Sequence, residues 1–337
     1  MSDAVAGRSR AAARDRLDAA GASAAGLDVR RALQLGLAAI WLLDGVLQYQ
    51  SFMFTKAFGQ MLAATSPGNP GIVSSPINWN ATLIEHHMVL NAIFATIQVL
   101  LGLGIAYRPT VRLALAASIV WALGVWWFGE GLGGVLSGAA DPVNGAPGAV
   151  IIYALLAVLL WPSDRPVPSG APAPFVAARP VGAQVARALW LALWGSLAYF
   201  ALTPASRAPQ ALHNMIAGME SGEPGWLAAL DKHSAAVVAN QGLAASIVLA
   251  IALAIVAVGV YFPAPVAKAT LVLALVVAAV IWVVGEAFGT ILTGGGTDPN
   301  SGPLLALLAL AYWPLAAAAK PRADRSLADE RPEGITA

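Results

Sequence analysis

Cysteine is absent from the 337-residue sequence. That excludes disulfides, thiolate catalysis, CxxCH haem attachment and cysteine-ligated zinc or iron–sulfur clusters. Charge is scarce too. Asp, Glu, Lys and Arg make up 11% of the chain, against about 25% in an ordinary soluble domain. Residues 1–32 hold six Arg and four Asp, and residues 318–337 hold one Lys, three Arg, two Asp and two Glu. Only 19 charged residues remain for the 285 positions between. No basic run lies among them and the net charge is +1, which argues against nucleic acid as a partner. With 58% of residues hydrophobic, a soluble fold of this size could not hide its apolar surface. The sequence therefore reads as an all-α integral membrane protein whose main partner is the lipid bilayer.

Eight apolar segments stand out, near 33–50, 83–106, 112–129, 148–162, 187–203, 236–262, 268–286 and 302–317. A helix needs about 20 residues to cross roughly 30 Å of hydrocarbon. The fourth and eighth segments are short, so Gly/Pro-rich loops carry part of those crossings. Lys and Arg set the orientation. With the N-terminus inside, 16 of them fall on the inner side, and only Lys56, Arg207 and Lys232 fall outside. This positive-inside bias predicts that both termini are cytoplasmic and that the number of spans is even. Residues 1–32 read as a disordered cytoplasmic tail, with no apolar stretch of the signal-peptide kind. Residues 163–186 read as a Pro-rich cytoplasmic linker, and 318–337 as a charged cytoplasmic tail.

The linker separates two copies of one unit, 33–162 and 187–317. WWFGEGLGGVLSGAADPVNGAP, from Trp126, matches WVVGEAFGTILTGGGTDPNSGP, from Trp282. The shared positions include Glu130/Glu286, Gly133/Gly289, Asp141/Asp298 and Pro142/Pro299. An earlier stretch aligns at a constant offset, pairing Met61/Met215, Gly68/Gly222, Pro70/Pro224 and Pro109/Pro263. Four spans per copy keep both copies in the same orientation. The expected fold is thus two parallel four-helix repeats related by a pseudo-twofold axis along the membrane normal. Residues 51–64 place Phe54, Phe58, Met61 and Leu62 at helical spacing, which predicts an amphipathic segment on the outer surface. Residues 208–219 are its counterpart.

Polar groups at membrane depth are the candidate functional residues. Asp44 lies 13 residues beyond Arg31, roughly 20 Å up the first span at 1.5 Å per residue, and Gln48 is one turn further on the same face. A carboxylate there costs several kcal/mol unless paired or protonated. It reads either as a helix–helix hydrogen bond or as a ligand, proton or partner site. The second copy has Trp194 or Ala198 in that place. Glu130 and Glu286 each begin a GE-x-x-G turn at the outer edge, where they close the turn or mark an old carboxylate site in each copy. Glu85, His86 and His87 begin the second span. Adjacent histidines point about 100° apart on a helix, so His86 and His87 read as interfacial side chains, or as single ligands that join Asp44 or Glu130 around a transition metal. The string GEGLGG at Gly129 matches GxGxxG, but it lacks the strand that a nucleotide site requires. Tryptophans near the span ends form the usual interfacial belt.

The four-span unit, the acidic first helix with Asp44 and Gly45, and the Gly-rich third-to-fourth connection with Glu130 and Gly133 resemble the DoxX/DoxD-like group of bacterial membrane proteins, here as a tandem duplication. The resemblance implies the bacterial cytoplasmic (inner) membrane, and a subunit working beside a membrane redox partner or the quinone pool. Two functions follow as expectations. One is a redox-associated or assembly subunit with a polar site near the outer face of the first repeat, touching quinone or metal. The other is a small-solute, metal or proton-coupled transporter or permease, a common use of duplicated bundles.

Overall fold

The computed structural model describes residues 29–165 and 173–315. Residues 1–28 and 316–337 of the chain and the middle of the linker lie outside the described residues. By contrast, 29–32, expected in the first tail, open a helix, and the later part of the expected linker is partly helical, with Phe175–Ala178 buried. Within the described residues the chain is helical, with no strand. The first half runs α1 (29–47), α2 (Lys56–Ala63), α3 (Gly71–His86), α4 (Leu90–Ala106), α5 (Val111–Phe128) and α6 (Ala149–Leu159). A short α7 (Ala178–Val181) precedes the second half. That half repeats the order: α8 (Ala183–Phe200), α9 (Ala211–Ala217), α10 (Gly225–Val238), α11 (Gly242–Gly259), α12 (Ala264–Val280) and α13 (Ser301–Ala311).

Among the described residues, three helices are long and apolar enough to cross a membrane: Arg108–Phe128, Gly242–Gly259 and Ala264–Gly285. A fourth joins them if Gly71–His86 and Leu90–Ala106, bent by 109° at the break between them, count as one span. Their outward faces carry large apolar side chains in the open, among them Leu100, Leu113, Val120, Val248 and Val272. An apolar girdle of this kind suits lipid better than water. Helices α6 and α13 are apolar but only 11 residues each, roughly 16 Å long. They pack on each other between the halves, with Leu156, Leu304 and Leu308 fully buried.

The second apolar segment of each half starts later than its hydropathy suggested. Residues 83–86 belong to α3 and 236–238 to α10. The chain turns at His87 (φ −133°, ψ 58°) and at Asn240 (φ 62°) before α4 and α11 begin. Neither α3 nor α10 was expected as a helix. Yet Val73, Ile77, Ala81 and Ile84 recur every three or four residues and form the buried face of α3, a helical period overlaid by Ser74, Ser75, Pro76 and Asn78. The expected amphipathic segment is a 3₁₀ turn at Ser51–Phe54 followed by α2, with Met53 and Phe58 buried and Lys56 exposed.

Small residues let the helices close up. A Cβ on Gly45 would lie 2.6 Å from the Val99 side chain, and one on Gly102 would lie 2.9 Å from the Ala38 carbonyl oxygen. This brings α1 against α4. Polar anchors fix the register. Trp41 Nε1 donates to Ser118 Oγ (2.9 Å), and Trp190 Nε1 to the Val256 carbonyl (2.9 Å). At the opposite end from α2 and α3, Arg31 donates to the Ile105 and Ala106 carbonyls at the C-terminus of α4. Arg112 donates to the Pro162 carbonyl just beyond α6 (3.2 Å). Cations at helix C-termini complement the helix dipole, so these basic residues also have a structural use.

Candidate functional site

The first half encloses a cavity of about 1170 Å³ among α1, α3, α4, α5 and α6. That is at the upper end of small-molecule sites, which run to about 1,000 Å³. Its walls are mainly apolar and aromatic, including Trp41, Phe94, Trp121 and Phe128. Trp41 and Tyr153 lie with ring centroids 4.2 Å apart, and Phe94 meets Trp121 edge-on at 5.5 Å. Polar groups gather at the end nearest the long loops: Asp44 from α1 and Gln48 just beyond it, Asn91 and Gln98 from α4, Tyr153 from α6, and Glu130 from the α5–α6 loop.

Asp44 is 3% exposed. Its Oδ2 accepts a hydrogen bond from the Tyr153 hydroxyl, while Oδ1 has no partner. Asn91 Nδ2 donates to the Gln48 carbonyl (2.8 Å), which ties α4 to the end of α1. Gln48 Nε2 reaches the Thr297 carbonyl (3.4 Å), and Gln50 Nε2 the Gly296 carbonyl (3.3 Å). Thr297, Asp298 and Asn300 of the second half thereby line the first half's cavity. The Asp298 oxygens are taken by the Asn300 N–H and the Thr297 hydroxyl, both at 2.7 Å.

The two glutamates sit at one structural position in their repeats and differ in use. Each precedes four successive residues with left-handed backbone, Gly131–Gly134 in the first half and Ala287–Thr290 in the second. A left-handed residue with a side chain costs roughly 1–2 kcal/mol. Leu132 alone incurs that cost in the first turn, while Ala287, Phe288 and Thr290 incur it in the second. Gly133 and Gly289 are required twice over. Besides the sign of φ, a Cβ would fall 2.0 Å from the Pro147 carbonyl oxygen or 2.5 Å from that of Asp298. The turns aim both carboxylates at the N-terminus of the next helix, where unpaired N–H groups favour an anion. Glu286 is fully engaged there, accepting from the Ser301 N–H (3.2 Å), the Ser301 hydroxyl and the Gly302 N–H (3.1 Å). Glu130 accepts only from the Val150 N–H (3.3 Å), and its Oε2 is buried without a partner beside the cavity. Burial, then the charge of Asp298, pushes the loop residue Glu130 up to about 8.

Of the residues singled out in the sequence, the cavity gathers Asp44, Gln48 and Glu130. Glu286 caps α13 instead. Glu85 lies against Gly59 of α2, outside the cavity lining. His86 and His87 are exposed at the α3–α4 bend, and His86 Nδ1 is bonded to the Thr82 carbonyl (2.8 Å). Among the described residues, no three His, Asp or Glu side chains converge as a metal site would need. Tyr153 and Asp298 were not foreseen. Asp298 carried a signal, since the Asp-Pro pair recurs in both copies, whereas Tyr153 carried none.

Among the described residues, the second half is filled where the first is hollow. Trp190, Trp194 and Tyr312, all fully buried, pack through its interior as tilted rings at centroid distances of 5.3 and 4.6 Å. A smaller space of about 550 Å³ remains near Ser206, His233 and Ser246. Comparison with protein-family models, curated proteins and solved structures returns no match.

Proposed function

We propose that this chain is a multi-pass protein of the bacterial cytoplasmic membrane, with eight spans in two parallel repeats and both termini inside. We propose further that its first repeat binds a small amphipathic molecule for passage between the bilayer and the outer face. One observation carries this reading: the cavity has a polar end and an apolar side that opens laterally. Val120, midway along α5, lines the cavity and is also 73% exposed. Beside it, a Cβ on Gly124 would meet nothing within 4 Å. A gap halfway up a membrane helix admits a ligand from lipid, while the loop end presents hydrogen-bonding groups to the ligand's polar part.

The redox-associated reading uses the same cavity for a quinone. In its favour, the Trp121 indole N–H is a buried donor without a partner, available to a ligand carbonyl, and the resemblance to DoxX/DoxD-like proteins points the same way. A metal centre at His86 and His87 has no geometric support in the described residues.

Native mass spectrometry of the full-length protein, extracted gently from its membrane, tests the proposal. The protein is expected to carry a small amphiphile that dissociates on activation. Gly124→Trp, which plugs the opening, is expected to arrive without it. A native protein that is always empty, and that gains no thermal stability from any amphiphile, would sink the reading.

A further inference from the structure

We infer that the cavity takes an amphipathic organic cation, a single ammonium- or phosphonium-type charge on an apolar body. This inference rests on the reading of the cavity as an amphiphile site. Three observations fix the sign of the charge. Asp44, Glu130, Asp141 and Asp298 line the cavity, and among the described residues no Lys, Arg or His does. The buried polar atoms left unpartnered along it are mostly acceptors: Asp44 Oδ1, Gln48 Oε1 and Gln98 Oε1, joined by Glu130 Oε2 once that carboxyl is ionised, against the donor Trp121 Nε1. Buried acceptors are normally satisfied, so this wall calls for a ligand that brings donors or positive charge. A quinone, which offers carbonyl acceptors, matches it poorly. Finally, the paired rings of Trp41 with Tyr153 and of Phe94 with Trp121 present aromatic surface beside the acids, the setting in which a desolvated cation is bound through its attraction to π faces.

A proton and a cation are alternatives at the same carboxylates. Asp44 is faced by Tyr153 from α6, by Glu130 from the α5–α6 loop and by Asp298 from the α12–α13 loop, while α4 contributes only the amides Asn91 and Gln98 to the lining. No cation among these groups neutralises Asp44. The ligand displaces a proton or relieves an unpaired charge, and binding weakens as the medium becomes acidic.

Tetraphenylphosphonium and tetraphenylborate share a shape and differ in sign, so the pair tests the inference on the unaltered protein. Equilibrium dialysis against the full-length protein in detergent is expected to show saturable phosphonium binding, with borate at least about tenfold weaker. Phosphonium binding should fall as the pH is lowered through about 8, where Glu130 takes up its proton. Asp44→Asn, checked for an unchanged size-exclusion profile, should weaken the phosphonium and leave the borate as it was. Gly124→Trp should abolish both. Equal binding of the two ions, lost together in Gly124→Trp, overturns the cation inference and leaves the amphiphile site standing. Binding of neither ion overturns both.

Discussion

The Tyr153 hydroxyl donates to Oδ2 of Asp44 across 109 residues of chain, joining α1 to α6 through the polar end of the cavity. The bond occupies one carboxylate oxygen and leaves the other open. Two substitutions should therefore act in opposite directions. Tyr153→Phe strips the buried carboxylate of its one side-chain donor and is expected to destabilise the protein by about 1–3 kcal/mol. Asp44→Asn keeps an acceptor for Tyr153 and removes the charge, so it is expected to raise the melting temperature. Thermal unfolding in detergent measures both. A loss of stability in Asp44→Asn as large as in Tyr153→Phe would mean that the carboxylate is a structural necessity.

The left-handed turns make a second pair of predictions. Gly133→Ala drives a Cβ into the Pro147 carbonyl, backbone that has no room to move, and should cost more than about 2 kcal/mol. Thr290→Gly relieves a side chain held at φ 54° and should stabilise by about 1 kcal/mol. A destabilised Thr290→Gly protein would show that its side-chain contacts outweigh the backbone cost.

The absence of cysteine gives a clean test of topology. Ser75, Ser163 and Ser221 are exposed, and each can carry the chain's sole thiol. Ser75→Cys and Ser221→Cys are expected to react with a membrane-impermeant maleimide in intact cells, and Ser163→Cys only after lysis. Labelling of Ser163→Cys from outside would mean that the 11-residue α6 does not complete a crossing, and would reduce the number of spans.

A pH effect is expected away from the cavity. Glu223, just before α10, and Asp231 within it face each other, and neither carboxyl has a partner beyond this pair. Burial first, then the charge of Asp231, pushes Glu223 up to about 7, and burial also raises Asp231. The folded state thus holds a proton that the unfolded chain releases near the ordinary carboxylate range. Stability is highest below that range and falls as the pH rises towards about 7. Glu223→Gln should flatten this part of the profile relative to the native protein, as read from melting temperatures across the range.

Much of the architecture was legible because it rests on local pattern. Each of the eight apolar segments overlaps a helix, and the GE-x-x-G duplication marks two turns of one shape. Helices α3 and α10 were obscured because polar residues and Pro76 interrupt their apolar faces, which lowers hydropathy without breaking the period. The cavity was only partly legible. Asp44 and Gln48 declared themselves as polar groups in an apolar stretch. Tyr153 is an ordinary residue for its helix, and Asp298 lies in the other repeat. Their convergence depends on how α6 and the 294–300 loop pack, which no periodicity records. Glu286 shows the converse: the same motif position as Glu130, yet spent wholly on capping a helix.

The reach of Thr297 and Asp298 into the opposite half bears on how the duplication could be used. Two identical units meeting as a dimer would invade each other symmetrically and build the same chamber twice. Joined in one chain, the two halves need not match. The first half is hollow, while the second holds Trp190, Trp194 and Tyr312 in its interior and lends a loop to its neighbour. Among the described residues the two halves are therefore a host and a contributor, with the large acid-lined chamber in the first. A ligand should saturate it at a single equivalent despite the twofold design of the sequence.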